Sequence, residues 1–514
     1  MLSAKLSLDP AFRVGTVDPR LFGSFVEHMG RCDYTGIYEP DHPTADADGF
    51  RGDVLDLVRE LGPTIVRYPG GNFVSGYRWE DGIGPRDERP RRLDLAWRSL
   101  ESNQVGVDEF MTWCGQARVE PMMAVNLGTR GVADAVDLLE YCNYPEGTRL
   151  SDLRRANGAK EPHDIRVWCL GNELDGPWQI GHKTAFEYGR LAAETARAMR
   201  KVDADLELVA CGSSNTTMPT FAAWESTVLQ ECYDAVDYVS LHNYYDPVGA
   251  TAEDFLASGA DLDRAIDAVV ATADHVGARL KSRRRLKVSV DEWNVWYQAN
   301  WNEPEHARTD WVEARRLIED TYDVVDAAVV GSLLISLLRH ADRVGIACQA
   351  QLVNVIAPIR TEPGGAAWRQ TIFHPFAQAA AFARGDVLRV EPRVATYDTD
   401  GHGEVPLLDA TATHDEESGA VTLLAVNRST TDELELSANV RAFADHRLAG
   451  ATTLTAPDVR TTNSAENPHA VAPTDNPRAH LADGRLTVVL PPVSWNVVRL
   501  VPNTNPAPTL SKED

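Results

Sequence analysis

Seven cysteines among 514 residues, at 32, 114, 142, 169, 211, 232 and 348, are odd in number, scattered, and form no CxxC pair. That excludes a disulfide framework or a zinc ribbon, and the set reads as reduced thiols, several of them in core strands. Cys348 lies among polar residues but reads as packing, not redox chemistry. Basic residues are scarce too: 50 Lys and Arg against 76 Asp and Glu give a formal net charge of −26. Nucleic-acid binding requires clustered cations, so a phosphate-backbone partner is excluded, and the acidity describes a well-solvated surface. Long apolar runs are also missing. The longest, Ala327–Leu338, is broken by Gly331, Ser332 and Ser336, and it falls short of the ~20 residues that span a bilayer. Met1–Phe12 holds no signal-peptide core, so a cytoplasmic protein with no membrane partner is expected.

Several signatures of chemistry are missing as well. No GxGxxG or Walker pattern follows a strand candidate, no Gly-x-Ser-x-Gly elbow occurs, and the histidines are isolated with no HExxH. No nucleotide cofactor and no metal are expected. None of the strand ends described next carries a lysine, which argues against Schiff-base barrel enzymes.

What is present is a rhythm. Strand candidates Leu21–Glu27, Thr64–Tyr68, Met122–Leu127, Ile165–Leu170, Leu206–Cys211, Val236–His242, Leu286–Glu292 and Val329–Leu338 are β-branched and apolar. Amphipathic stretches lie between them: Asp53–Leu61, Val107–Ala117, Lys183–Val202, Asp261–Lys281 and Thr309–Ala328. Eight short strands alternating with helices predict an α/β fold, a (β/α)₈ TIM barrel, since each parallel strand requires a crossover to return. Beyond Val387 the texture becomes short, β-rich and turn-punctuated: Ser418–Val426, Glu433–Ala438, Arg485–Leu490 and Trp495–Val501. This predicts a C-terminal antiparallel β-sandwich that also recruits the N-terminal strand, Lys5–Val17. The expected divisions are 1–18 for that strand, 19–384 for the catalytic barrel, 385–501 for the sandwich with a long surface loop at 457–480, and 502–514 for a disordered tail.

Polar residues crowd the C-terminal ends of the strand candidates: Glu27-His28, Arg67 followed by Gly70-Gly71-Asn72, Asn126, Asn172-Glu173, His242-Asn243-Tyr244 and Glu292-Trp293, with Gln349 beyond the eighth. A parallel barrel builds its active site on that rim. Glu173 and Glu292 stand 119 residues apart. At roughly 40 residues per βα unit they fall on strands four and seven, able to face one another across the mouth. Two carboxylates in one pocket are the minimal machinery for cleaving a glycosidic bond. Glu292 is assigned as nucleophile, with Arg67 and Tyr244 as the donors that keep it ionised, and Glu173 as general acid/base. Singly, each residue has a plainer reading: Glu27 or Glu173 as a cap neighbour or surface ion pair, Arg67 as a structural partner, Asn72 as a turn residue, His242 as a core histidine. Trp97, Trp178, Trp296 and Trp301 lie in polar segments, where aromatic faces suit sugar rings.

Longer strings narrow the reading. Arg67–Pro85 (RYPGGNFVSGYRWEDGIGP), Gly171–Gln179 (GNELDGPWQ), Ser240–Tyr245 (SLHNYY), Asp291–Tyr297 (DEWNVWY), Ala350–Pro358 (AQLVNVIAP) and Asn463–Pro468 (NSAENP) resemble the family 51 α-L-arabinofuranosidases over nearly the whole chain. Leu174 stands where many relatives carry Met, a conservative change. The resemblance implies a retaining exo-hydrolase that releases terminal arabinofuranose from arabino-oligosaccharides or arabinoxylan fragments, with Glu173 matching the acid/base and Glu292 the nucleophile. It further implies that Asn172 binds the sugar 2-hydroxyl, that Glu27, Asn72, Tyr244 and Gln349 line the arabinose pocket, that Arg67 supports the nucleophile, and that Trp97 and Trp296 form its wall. A homo-oligomer, commonly a hexamer, is implied in the same way. The same two glutamates would serve a β-xylosidase or an endo-glucanase, and a silent carbohydrate-binding protein would be expected to have lost one of them.

Overall fold

A computed structural model describes residues 1–301, 306 and 308–503. Eight parallel strands close into a barrel: Gly23–Phe25, Ile65–Tyr68, Glu120–Ala124, Val167–Leu170, Glu207–Ala210, Tyr238–Tyr245, Lys287–Val295 and Val344–Gln349. Neighbours pair in chain order, and Cys348 and Gln349 of the eighth strand return to Gly23 and Ser24 of the first. Strands two and four are buried at every position, because helices cover the outside while side chains fill the inside. The covering helices Gly52–Leu61, Val107–Ala117, Ala185–Val202 and Ser258–Leu280 lie close to where the apolar period places them. The third of these starts at a capping box: the Thr184 hydroxyl accepts from the Glu187 N–H, and the Glu187 carboxylate accepts from the Thr184 N–H at 3.0 Å.

One barrel element differs from the sequence reading. Val329–Leu338 is not the eighth strand but part of the helix Val324–Arg339, and no helix spans the expected Thr309–Ala328. The reason is burial: Val324 to Leu338 is buried at every position, so the run lacks the polar stripe that gives a helix its period. The helix is sandwiched between the barrel and the C-terminal sheet. A side chain at Gly331 would overlap the Trp495 ring, so the glycine admits the close approach of the two layers. The true eighth strand follows, and Gln349 is its last residue.

The C-terminal part is two packed sheets, seven and four strands, around Leu6, Leu408, Leu423, Leu436, Val488 and Leu500. The N-terminus enters both. The expected single strand is two: Leu2–Ser7 pairs in parallel with Leu434–Asn439 in the smaller sheet, and Arg13–Thr16 pairs antiparallel with Asp386–Leu388 in the larger. Within 457–480 short strands occupy Thr474–Asp475 and begin at Ala479. Asn463 pins the stretch before them by a two-way bond with the Val471 backbone. Of the expected tail, Pro502 ends the last strand and the Asn503 N–H donates to the Asp445 carbonyl; 504–514 lies outside the described residues. All seven cysteines are buried free thiols. Among the described residues no helix is long and apolar enough to cross a membrane.

Candidate active site

The rim residues converge on one mouth, and a β-bulge shapes its centre. Ser240 and His242 of strand six, two residues apart, face Ser289 and Glu292 of strand seven, three apart. On the other side Ala347 and Gln349 face Val290 and Trp293, again two against three. Strand seven thus carries one extra residue between Val290 and Glu292. Regular alternation would send Asp291 and Glu292 to opposite faces, whereas the bulge lets both reach His242 and Arg67 inside the barrel.

Glu292 accepts from Arg67 Nη1 at 2.8 Å on one oxygen and from the Tyr244 hydroxyl at 2.8 Å on the other. Arg67 reaches further: Nη2 donates to Asn172 Oδ1 at 2.7 Å, and Nε lies 3.7 Å from Asp291 Oδ2. Asn172 then donates to Asn72 Oδ1 at 3.3 Å. Glu173 follows Gly171 (φ +94°) and itself sits at φ +44°, a left-handed conformation that costs a non-glycine residue about 1–3 kcal/mol. Its Oε1 lies 2.9 Å from His242 Nδ1, and its Oε2 accepts from the Trp178 indole at 2.9 Å. One oxygen of Glu173, His242 Nδ1 and one oxygen of Glu292 all lie within 4.8 Å of one another.

Burial and neighbouring charges act on Glu173, His242 and Asp291. Burial raises Glu173 above the ordinary carboxylate range; the His242 hydrogen bond opposes this, and the nearby Glu292 charge adds to it. For His242, burial alone would depress the imidazole, but the Glu292 charge and hydrogen bonds to Asp291 and Glu173 outweigh it and push it up to about 10. The protonated ring therefore donates from both nitrogens, at 2.9 Å to Glu173 and 3.0 Å to Asp291. Burial would raise Asp291 as well, but the Arg67 and His242 cations hold it below its usual value. The trio Glu173, His242 and Glu292 is the group among the described residues that could share a cation. A metal there would have to displace a ring proton from His242.

The far end of the pocket is closed. Glu27 accepts from the Phe73 N–H at 2.9 Å, the Trp97 indole at 2.8 Å and Gln351 Nε2 at 3.1 Å. Burial pushes it up to about 8 against the Phe73 and Trp97 bonds. Between the glutamates runs backbone: a Cβ at Gly71 would lie 3.1 Å from Glu292 Oε1 and 3.3 Å from Glu27 Oε2, and one at Gly70 (φ +147°) would overlap Glu27 Cγ. Trp296 meets the Tyr244 ring edge-on at 5.3 Å, and Trp97 meets Trp301 at 6.4 Å. Gln349 is fully buried, donates to Asn294 Oδ1 at 3.1 Å, and has no protein partner on its own oxygen.

Ten of the eleven residues read from the sequence are thus joined around Glu173 and Glu292, while Gln349 lies on the same rim and bonds to Asn294. Other polar groups of the rim turn away: His28 to Glu101 and Tyr68, Asn126 to its own loop, Asn243 to Tyr245 and Asp261. Sequence reasoning did not single out Asp291, Asn294 or Gln351. Asp291 carried no signal, because nothing in the residue pattern announces a bulge. Gln351 follows Gln349 by two positions on the same rim, a spacing that could have found it.

Known proteins resemble this chain over most of its length. Residues 57–260 match the family model of the alpha-L-arabinofuranosidase 1 domain, and residues 291–494 match that of the alpha-L-arabinofuranosidase C-terminal domain. An intracellular exo-alpha-(1->5)-L-arabinofuranosidase 1 of Bacillus subtilis is 51% identical over 97% of this chain and 99% of its own. The chain belongs to family 51 of the α-L-arabinofuranosidases. A Streptomyces lividans relative, named an intracellular exo-alpha-(1->5)-L-arabinofuranosidase, is 58% identical over 99% of this enzyme and 76% of its own length. The solved structure of AbfB, a family 51 alpha-L-arabinofuranosidase from Bifidobacterium longum, superposes with a TM-score of 0.93 at 48% identity, covering 97% of the enzyme and 99% of that chain. This arabinofuranosidase is therefore a glycoside hydrolase on a (β/α)₈ barrel with an appended β-sandwich.

Proposed function

We propose that the enzyme removes terminal α-L-arabinofuranose by double displacement, with Glu292 as nucleophile and Glu173 as acid/base. The observation that carries this is the pair of carboxylate oxygens within 4.8 Å, one glutamate held by Arg67 and Tyr244 and the other by His242 and Trp178. Such a gap favours a retaining pair, ~5–5.5 Å apart, over an inverting one at ~6.5–9.5 Å. A Glu292 oxygen attacks C1 as the C1–O bond to the leaving group breaks, and the Glu173 proton goes to the departing oxygen. Water then attacks C1, its proton passes to Glu173, the ester bond to Glu292 breaks, and the anomeric configuration is retained. Asn172, between Arg67 and Asn72, is suited to the 2-hydroxyl, a contact that strengthens as positive charge grows at C1. Glu27, Asn72, Trp97, Tyr244, Trp296 and Gln349 would hold the rest of the sugar.

Linkage is a finer matter. Relatives named for α-(1->5) and for α-(1->6) action are each 51% identical; arabino-oligosaccharides are the substrates the reading favours. A cytoplasmic setting is proposed on the intracellular names of several relatives, and a hexamer on the family resemblance. The test of the mechanism is Glu292→Ala, which should abolish turnover of an aryl arabinofuranoside and recover it with azide, giving an inverted product. Glu173→Ala should still form the intermediate from a good leaving group and then stall. Full activity of the first variant, or no stall in the second, overturns the assignment.

A further inference from the structure

The buried centre holds more ionisable groups than the two-glutamate mechanism uses. The Asp291 carboxylate is 1% exposed and faces His242 Nε2 at 3.0 Å and Arg67 Nε at 3.7 Å. From strands four, five and eight it faces only thiols, Cys169, Cys211 and Cys348, which burial raises and keeps neutral. His242 faces Glu173 and, at 3.6 Å, Glu292, with Asp175 beyond. Glu292 has Arg67, Tyr244 and Glu27 around it.

An uncompensated charge is costly in such a place. Two cations, Arg67 and a charged His242, stand among three acids, Asp291, Glu292 and Glu173. The set is neutral when one acid carries a proton, and Glu173 is the one that burial raises and that bonds to the exposed Trp178 indole instead of to Arg67. Remove the Asp291 charge and neutrality leaves one proton between His242 and Glu173 instead of two. We propose that Asp291 is a positioning residue that keeps His242 and Glu173 protonated together, so that the acid is loaded when substrate arrives. The bulge in strand seven serves this end as well as the placing of Glu292, since it lets both carboxylates face the interior together. The proposal rests on the reading of Glu173 as the acid.

The test is the pH dependence of kcat/KM for Asp291→Asn and Asp291→Glu, on benzyl and on 4-nitrophenyl α-L-arabinofuranoside. A benzyl alcohol leaves only with a proton from the acid; nitrophenolate leaves readily without one. For Asp291→Asn the alkaline limb on the benzyl substrate should move to lower pH by about one unit or more. The rate loss at pH 8 should be at least tenfold greater on the benzyl than on the nitrophenyl substrate. Asp291→Glu keeps the charge, so its limb should stay where the unaltered enzyme has it even as the rate falls, and this holds as the test if Asp291→Asn does not fold. An unmoved limb in Asp291→Asn, or a limb that moves in Asp291→Glu, overturns the proposal. Glu173→Ala measured alongside separates the two readings: if its alkaline limb survives, the acid assignment fails; if that limb is lost while Asp291→Asn leaves it in place, only the proposal fails.

Discussion

A single methyl group between the two buried glutamates should slow catalysis even in enzyme that remains folded. Gly71 has φ −81° and ψ −103°, outside the left-handed region but also outside the α and β regions, so alanine there carries backbone strain as well as a contact. Its Cβ would lie 3.1 Å from Glu292 Oε1, tighter than ordinary contact, and that oxygen is clasped by Arg67 at 2.8 Å. The carboxylate must give by a few tenths of an ångström against a charge-assisted bond, and a misplacement of about 1 Å costs roughly 10²-fold in rate. A loss of about 10- to 100-fold in kcat/KM on 4-nitrophenyl arabinofuranoside is therefore expected, about 1.4–2.7 kcal/mol in the barrier. The urea midpoint should fall too, by about 1–3 kcal/mol of backbone strain, so the rate loss is read on enzyme kept well below its unfolding transition. Gly70→Ala supplies the contrast: at φ +147°, with Glu27 Cγ in the way, it should lose folding stability first. Gly71→Ala with unaltered kcat/KM, or Gly70→Ala with an unaltered urea midpoint, would refute the placement of this backbone between the two carboxylates.

Tyr244→Phe removes the 2.8 Å bond to Glu292; at about 1.5–3 kcal/mol for a bond to a charged group, the melting temperature should fall and kcat/KM on the folded enzyme should fall about 10- to 100-fold, and a rate loss under about threefold would dismiss the contact. Gly331→Val drives a side chain into Trp495 where helix meets sandwich, so denaturant midpoints should drop by about 1–3 kcal/mol of stability or more, and an unchanged midpoint would contradict that packing. Asp33 is buried with no partner on either oxygen, and burial pushes it up to about 7 from an ordinary 3.8. The folded protein holds that proton where the unfolded chain releases it, so the contribution is complete below 3.8 and is lost as pH rises through about 7. Asp33→Asn should flatten the dependence of melting temperature on pH across that window, and an unflattened curve would count against it.

Much of the barrel was legible because buried parallel strands advertise themselves as short β-branched runs, and Ile65–Tyr68 and Val167–Leu170 could hardly be read otherwise. The same logic misled at Val324–Arg339. A helix enclosed on every side has no polar face, so its run looks like a strand, while the real eighth strand hides behind Gly345, Cys348 and Gln349. The site was legible by position, since a carboxylate at a strand exit marks the rim whatever the fold's details. What could not be read is anything set by backbone irregularity. The extra residue of strand seven lets Asp291 and Glu292 face the interior together, and no residue type announces it.

The mode of attack follows from where the pocket is open. Glu27, at 2% exposure, ends a wall that Trp97 and Gln351 complete, so chain has no room to continue past it. On the opposite side Glu173 is itself nearly buried, yet its partner Trp178 is 49% exposed. A proton donor must touch the oxygen that leaves, and the leaving group must have somewhere to go. Both conditions are met only on the Trp178 side, so the furanose that enters is a chain end and the rest of the substrate stays in solvent. An internal residue would need a second exit through Glu27, whose three donors and the crowded Gly70 backbone leave none. Exo action is thus tied to the same Gly70-Gly71 backbone that lies against Glu292, and widening the pocket for an internal sugar would mean disturbing Glu292 as well.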